Sequence, residues 1–254
     1  MRSARLITAA RPAVVLVAHG SRDPRAAAST EALARAVRRA RPEWLVRASY
    51  LDHAGPRPLE VLGSLGARRA VLVPLLLTEA FHGRVDLPAV LAGAAGLPVD
   101  VTLAGVLGPR SAGPGRTRMP RLLLEALVRR LPAGAPDAVV LAAAGTRDPV
   151  ARGTVEHAAA VLGERLGVPS AVAYSSGVGP RAGEAVLALR EAGARRVMVA
   201  GYFLAPGLLY DLAVASALEA GAAGVAEPLG DAPELVGLIG ERVAAAGVRM
   251  LAAA

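Results

Sequence analysis

The sequence predicts an α/β protein built as two tandem, doubly wound parallel-sheet domains. Three observations carry that prediction. Short apolar runs alternate with amphipathic segments along the chain, a set of motifs occurs twice in the same order, and a Pro-, Gly- and Arg-rich stretch separates the two sets. Strand–helix alternation gives parallel sheets with helices on both faces, and strands covered on both faces read as continuous apolar runs.

The first strand is Ala13–Ala18, and it runs straight into His19-Gly20-Ser21-Arg22-Asp23-Pro24. Two early arginines and an apolar run superficially resemble a secretion signal. The run is short, however, and leads into a polar loop rather than a cleavage site, so a cytoplasmic protein is expected. A helix over 25–40, a strand over 45–51, a helix over 56–65, a strand over 70–76, a helix over 86–95 and a strand over 99–104 complete the first unit. The segment from Gly108 to Pro136 contains Ser111-Ala112-Gly113-Pro114-Gly115 and one helix, over 119–130. Residues 1–115 are therefore expected as an N-terminal domain and 116–254 as its degenerate copy, with 116–136 as connecting helix and linker.

The duplication is read from three markers. His19-Gly20-Ser21-Arg22-Asp23-Pro24 recurs as Ala144-Gly145-Thr146-Arg147-Asp148-Pro149 after a similar apolar run. Gly55-Pro56-Arg57 with Glu60 recurs as Gly179-Pro180-Arg181 with Glu184, and Gly66-Ala67-Arg68-Arg69 recurs as Gly193-Ala194-Arg195-Arg196 before the next strand.

Composition narrows the chemistry. The 254 residues are 54% hydrophobic but only 3% aromatic, so the cores must be built from Ala, Val and Leu, and disorder is excluded. No apolar run reaches the roughly 18–20 residues of a membrane span. Without cysteine there are no disulfides, thiolate metal sites, iron–sulfur clusters or cysteine nucleophiles. The formal net charge of +8 comes from arginine alone, since lysine, Asn and Gln are absent. That bias reads as the composition of a GC-rich genome. Arg35, Arg38, Arg39 and Arg41 are spread along a helix rather than gathered with aromatics into a stripe, so no nucleic-acid partner is expected. A preference for anionic small molecules remains.

In open parallel sheets ligands sit beyond the carboxyl ends of the strands, near the point where strand order reverses. His19 follows the first strand and His82 lies shortly after the third, and in the order 2-1-3-4 those strands are neighbours. Neutral imidazole binds divalent transition metals and also takes up a proton near neutral pH, so this pair is the candidate catalytic and metal-ligating set. Ala144 stands where His19 does, and Gly207 where His82 does. A purely structural role in a shared fold does not predict that split. Glu79, three residues before His82, is a candidate proton relay or metal contact. His53, in Asp52-His53-Ala54-Gly55 after the second strand, reads as a solvated turn, with a place on the rim of the same cleft as the alternative, and His157 as a surface helix residue. Asp86 and its counterpart Asp211 read as carboxylates favoured by a helix N-terminus.

Rival motifs are weaker. Gly177-Val178-Gly179-Pro180-Arg181-Ala182 fits the G-x-G-x-x-A dinucleotide pattern, but the following strand offers no acid for a ribose and the motif sits in the second unit of its domain. Ala18 stands where a phosphohistidine phosphatase needs arginine. No Walker loop, G-x-S-x-G elbow or H-E-x-x-H pair occurs.

Val14–Ala18 with His19-Gly20-Ser21-Arg22-Asp23-Pro24, the Gly66–Leu77 segment, and His82-Gly83-Arg84-Val85-Asp86-Leu87-Pro88 together resemble the class II chelatases of the sirohydrochlorin chelatase type. The resemblance covers nearly the whole chain, more strongly in the first half. It implies insertion of Fe²⁺ or Co²⁺ into sirohydrochlorin for siroheme or cobalamin synthesis, with His19 and His82 facing a cleft between the two domains. This chain has Phe81-His82-Gly83 where the family often has Gly-His-Val, and it lacks the histidine-rich tail of some cobalt-inserting relatives, which favours iron. The metal is then a substrate, and no organic cofactor is implied. Sirohydrochlorin carries many carboxylates, for which Arg22, Arg57 and Arg84 on the rim loops are candidate partners. Two fused copies supply both walls of one cleft, so a monomer suffices. A non-catalytic tetrapyrrole or metal carrier of the same fold is the alternative, and a nucleotide-binding module the third reading.

Overall fold

The computed structural model describes residues 11–78, 86–111 and 116–247. The first half runs β1 (Ala13–Ala18), α1 (Pro24–Ala40), β2 (Leu45–Tyr50), α2 (Pro58–Ser64), β3 (Arg69–Pro74), α3 (Leu87–Ala94) and β4 (Asp100–Leu103). A two-residue antiparallel pair, β5 (Arg110–Ser111) and β6 (Thr117–Arg118), precedes α4 (Arg121–Arg130). The second half runs β7 (Ala138–Ala143), α5 (Pro149–Leu166), β8 (Ser170–Tyr174), α6 (Ala182–Glu191), β9 (Val197–Tyr202), α7 (Leu208–Glu219), β10 (Gly224–Val225) and α8 (Pro233–Ala245).

The two sheets are parallel and wound alike, β2-β1-β3-β4 and β10-β9-β7-β8. The strand that starts each half, β1 or β7, is central and buried along its whole length, which its unbroken apolar sequence requires. Each is followed by a long helix started in the same way. Asp23 and Asp148 accept the backbone N–H of Arg25 and Val150 at 2.9 Å each, and a proline occupies the first helical turn of both. Expected and observed elements agree to within about two residues. The helix expected from Pro56 starts at Pro58 instead, because the Pro58 ring keeps Arg57 extended, at φ −74° and ψ 154°.

Side chains alternate across each strand, and the alternation decides which core they join. Val14 and Leu16 of β1 and Val139 and Leu141 of β7 enter one core that also holds Leu33 of α1 and Leu235 of α8. Val15 and Val17 face a separate outer core of the first half, and Val140 and Ala142 that of the second. The helices α4 and α8 bind the halves together. The last helix, α8, packs on α1 and β3 of the first half, whereas α4 packs on α5 and β9 of the second and the two helices pack on each other. Arg242 of α8 donates from Nε to the Val106 carbonyl at 2.7 Å. Among the described residues no helix is long and apolar enough to cross a membrane.

Candidate active site between the two sheets

His19 is the first residue beyond β1. The loop it opens is pinned to the loop beyond β2: Asp52 N–H donates to the His19 carbonyl at 2.8 Å, and Leu51 N–H to that of Ala18 at 2.9 Å. Gly20 lies between them with φ +94°, where a Cβ would stand 1.8 Å from the Asp52 carbonyl oxygen. Only glycine fits that contact. His19 Nδ1 lies 2.9 Å from the Gly20 carbonyl oxygen. A carbonyl only accepts, so in this contact Nδ1 is the donor.

A cavity of about 280 Å³ opens where the carboxyl ends of the central strands of both halves meet. Its lining comprises His19 and residues 75–78 from the first half and residues 143–146 and 202–204, with Val155 and Tyr174, from the second. Its walls are largely apolar and aromatic, with His19 and the threonines 78 and 146 as polar exceptions, the composition of a small-molecule site. Tyr202 donates its hydroxyl to the Leu77 carbonyl at 3.1 Å, tying the two rims, and burial pushes its phenol up so that it stays a donor. Farther out, Arg25 Nη2 reaches Asp211 Oδ2 at 2.5 Å across the halves while also pairing with Asp23 at 2.5 Å. The Arg25 guanidinium holds the Asp23 carboxyl below the usual carboxylate range. Asp211, in the first turn of α7, thus joins the halves besides facing its helix N-terminus.

The arginines of the rim divide. Arg22 is exposed in the loop between β1 and α1. Arg57 is engaged: Nη1 donates to the Leu51 carbonyl and Nη2 lies 3.7 Å from Asp52 Oδ1. Its counterpart Arg181 donates one position earlier in the loop, from Nη1 to the Tyr174 carbonyl at 2.9 Å. In both halves the Gly-Pro-Arg marker closes the loop after the second strand. Glu79, His82 and Arg84 lie outside the described residues.

The CbiX family model matches residues 13–112 and 138–246, covering both halves. The chain belongs to the CbiX family. No curated protein matches the sequence. Among solved structures the CbiX fold of this chain is similar to SirB from Bacillus subtilis with Fe³⁺, at TM-score 0.73 and 21% identity over 94% of this chain and 96% of that one. It is also similar to the sirohydrochlorin chelatase SirB from Bacillus subtilis subspecies spizizenii in complex with cobalt, at TM-score 0.71 and 20% identity over 93% and 95% of the two chains. A third likeness is to CbiX, the terminal enzyme for biosynthesis of siroheme in denitrifying bacteria, at TM-score 0.64 and 23% identity over 92% and 99%.

Within this CbiX chain the residue that sequence reasoning undervalued is His53. It is exposed in the turn after β2, as read, and its ring centre also lies 6.3 Å from that of His19, with the planes at 37°. Asp52 Oδ2 stands 3.4 Å from its Nε2, and the His53 backbone N–H holds the Asp52 carboxyl below its ordinary range. Aligning the halves on Gly-Pro-Arg would have exposed it, because the matching position is Gly177. The glycines once readable as a dinucleotide fingerprint belong to this turn. Gly177 and Gly179 take φ +75° and +125°, and a Cβ on Gly179 would meet the Tyr174 ring at 2.6 Å.

Proposed function

We propose that this protein is a sirohydrochlorin chelatase that inserts a divalent metal, Fe²⁺ or Co²⁺, into sirohydrochlorin. The observation that carries the reading is the position of His19 on an apolar cavity between two like sheets of the CbiX fold. Metallation removes two protons from pyrrole nitrogens while the ion exchanges water for ring nitrogens. A base and a metal-holding ligand beside the macrocycle are therefore required. His19 and His82 supply two imidazoles for those tasks, and Glu79 a carboxylate to relay the proton. The apolar walls receive the flat face of the macrocycle, whose carboxylates fall on the rim, where Arg22, Arg57 and Arg84 are the arginines proposed to meet them. Arg22 comes first among these, since the Arg57 guanidinium already closes its own loop. Both walls come from one chain, so a monomer can work alone, and a short apolar run leading into a polar loop suits a cytoplasmic setting.

The test is the absorbance change of sirohydrochlorin on mixing with Co²⁺ or anaerobic Fe²⁺, for the intact protein and for His19→Ala and His82→Ala. Catalysed metallation lost in both variants, with unfolding unchanged, is the expected result. Stoichiometric binding of the macrocycle with metallation at the protein-free rate would identify a carrier instead.

A further inference from the structure

The repeat singles out one backbone position. Gly177 takes φ +75° in the second half, and the first half holds the same left-handed conformation with His53, at φ +58°. Glycine enters that region freely, whereas a residue with a Cβ is strained there, and such strain persists where function requires it. No packing requirement asks for this imidazole, since its side chain is 35% exposed. What it gains is a place beside His19, with ring centres 6.3 Å apart. Two imidazoles bound to one divalent ion at about 2.1 Å each put their ring centres about 5–6 Å apart, so a small side-chain adjustment brings this pair onto one ion. Asp52 flanks His53 by its carboxylate and by the 2.8 Å bond from the His53 N–H, the kind of outer partner that ligating imidazoles have.

Resting on the chelatase reading above, we propose that His53 is a further metal-binding residue of this chain, receiving the incoming divalent ion together with His19 at the open rim of the cleft. With both rings neutral, their nitrogens replace two water ligands of the hydrated ion and no proton or electron is transferred. Among the described residues no group of three His, Cys, Asp or Glu is arranged to hold an ion. His19 and His53 together leave the remaining coordination positions to water, to His82 and to incoming ring nitrogens. A protein that must release its metal needs such lability. The second half, with Ala144 and Gly177 at the two positions, lacks both imidazoles on the same backbone.

The experiment titrates the tetrapyrrole-free protein with Co²⁺, followed by the visible absorption of the ion, for wild type, His53→Gly, His53→Ala and His19→Ala. Metallation rates against metal concentration and thermal melts are recorded for the same proteins. His53→Gly is expected to melt higher than wild type, because the strain is gone. It should bind Co²⁺ about tenfold or more weakly and raise the KM for metal with little change in kcat. A higher melt with Co²⁺ affinity and metal KM unchanged would overturn the inference while leaving the chelatase reading intact, and so would a wild-type protein that binds no Co²⁺ without the macrocycle. If wild type fails to metallate sirohydrochlorin yet His53→Gly still weakens Co²⁺ binding, the chelatase reading falls and the imidazole pair stands.

Discussion

In the first half the loop after the leading strand begins with His19, and in the second half the same loop begins with Ala144, yet the two backbones are held alike. Gly20 and Gly145 have φ +94° and +100°, and a Cβ on either would strike the carbonyl of the neighbouring loop, at 1.8 and 2.0 Å. Asp52 N–H bonds the His19 carbonyl at 2.8 Å and Ser176 N–H that of Ala144 at 2.9 Å. Glu60 and Glu184 accept the backbone N–H of Arg57 and Arg181 at 2.8 Å each. The residues that occur twice are those that fix the chain path. Imidazole at positions 19 and 53 occurs once, and these are the positions proposed to add chemistry. Duplication therefore separates scaffold from site without recourse to other sequences.

That separation can be broken most forcefully at the duplicated glycines. Gly20→Ala and Gly145→Ala should each lower stability by about 3 kcal/mol or more, because positive φ and a backbone clash coincide, and urea unfolding measures it. If Gly145→Ala were tolerated while Gly20→Ala was not, the second loop would not be held as the first is. Next comes His19→Ala, expected to slow sirohydrochlorin metallation by about 10²–10⁴-fold with the unfolding midpoint unchanged. The converse change, Ala144→His, should leave the rate where it was, since the second half lacks a neighbouring imidazole; a gain in rate would mean that either wall can work.

Smaller effects concern the two buried tyrosines that line the cavity from the second half. Tyr202→Phe removes the hydroxyl that bonds the Leu77 carbonyl and should cost about 1 kcal/mol in chemical denaturation. Tyr174 is as deeply buried, but its hydroxyl has no hydrogen-bond partner, so Tyr174→Phe should be neutral or slightly stabilising. Equal losses would mean that the hydroxyl of Tyr174 is satisfied in solution. A small effect is also expected for Arg25→Ala, which removes the exposed ion pair with Asp211. Its effect on unfolding should fall below that of Tyr202→Phe and vanish at high salt, and a double-mutant cycle with Asp211→Ala isolates it.

The fold was legible because its signals are local. Ala13–Ala18 and Ala138–Ala143 are apolar throughout, each is followed by Asp-Pro at a helix start, and the strand order follows from repeating that unit. His19 was legible for the same reason, sitting where a central strand ends. Other features were not. Asp211 read as a helix-terminal charge, because nothing in the sequence brings Arg25, 186 positions away, to its side. Whether His53 was only a turn residue or lay on the cleft rim stayed open, because neither its left-handed backbone nor its distance from His19 is a property of neighbouring residues.

The sequence by itself determined which segments are strands and helices, that the unit occurs twice, and which copy carries histidine, since hydrophobic periodicity, proline, glycine and capping residues act over a few positions. The tertiary structure alone decided that the inner faces of both sheets enclose one core, that α8 returns to pack on the first half, and that the rims meet through Tyr202 and Leu77. These are contacts between residues far apart in the chain, formed by burying apolar faces that the local pattern marks as buried without naming the partner.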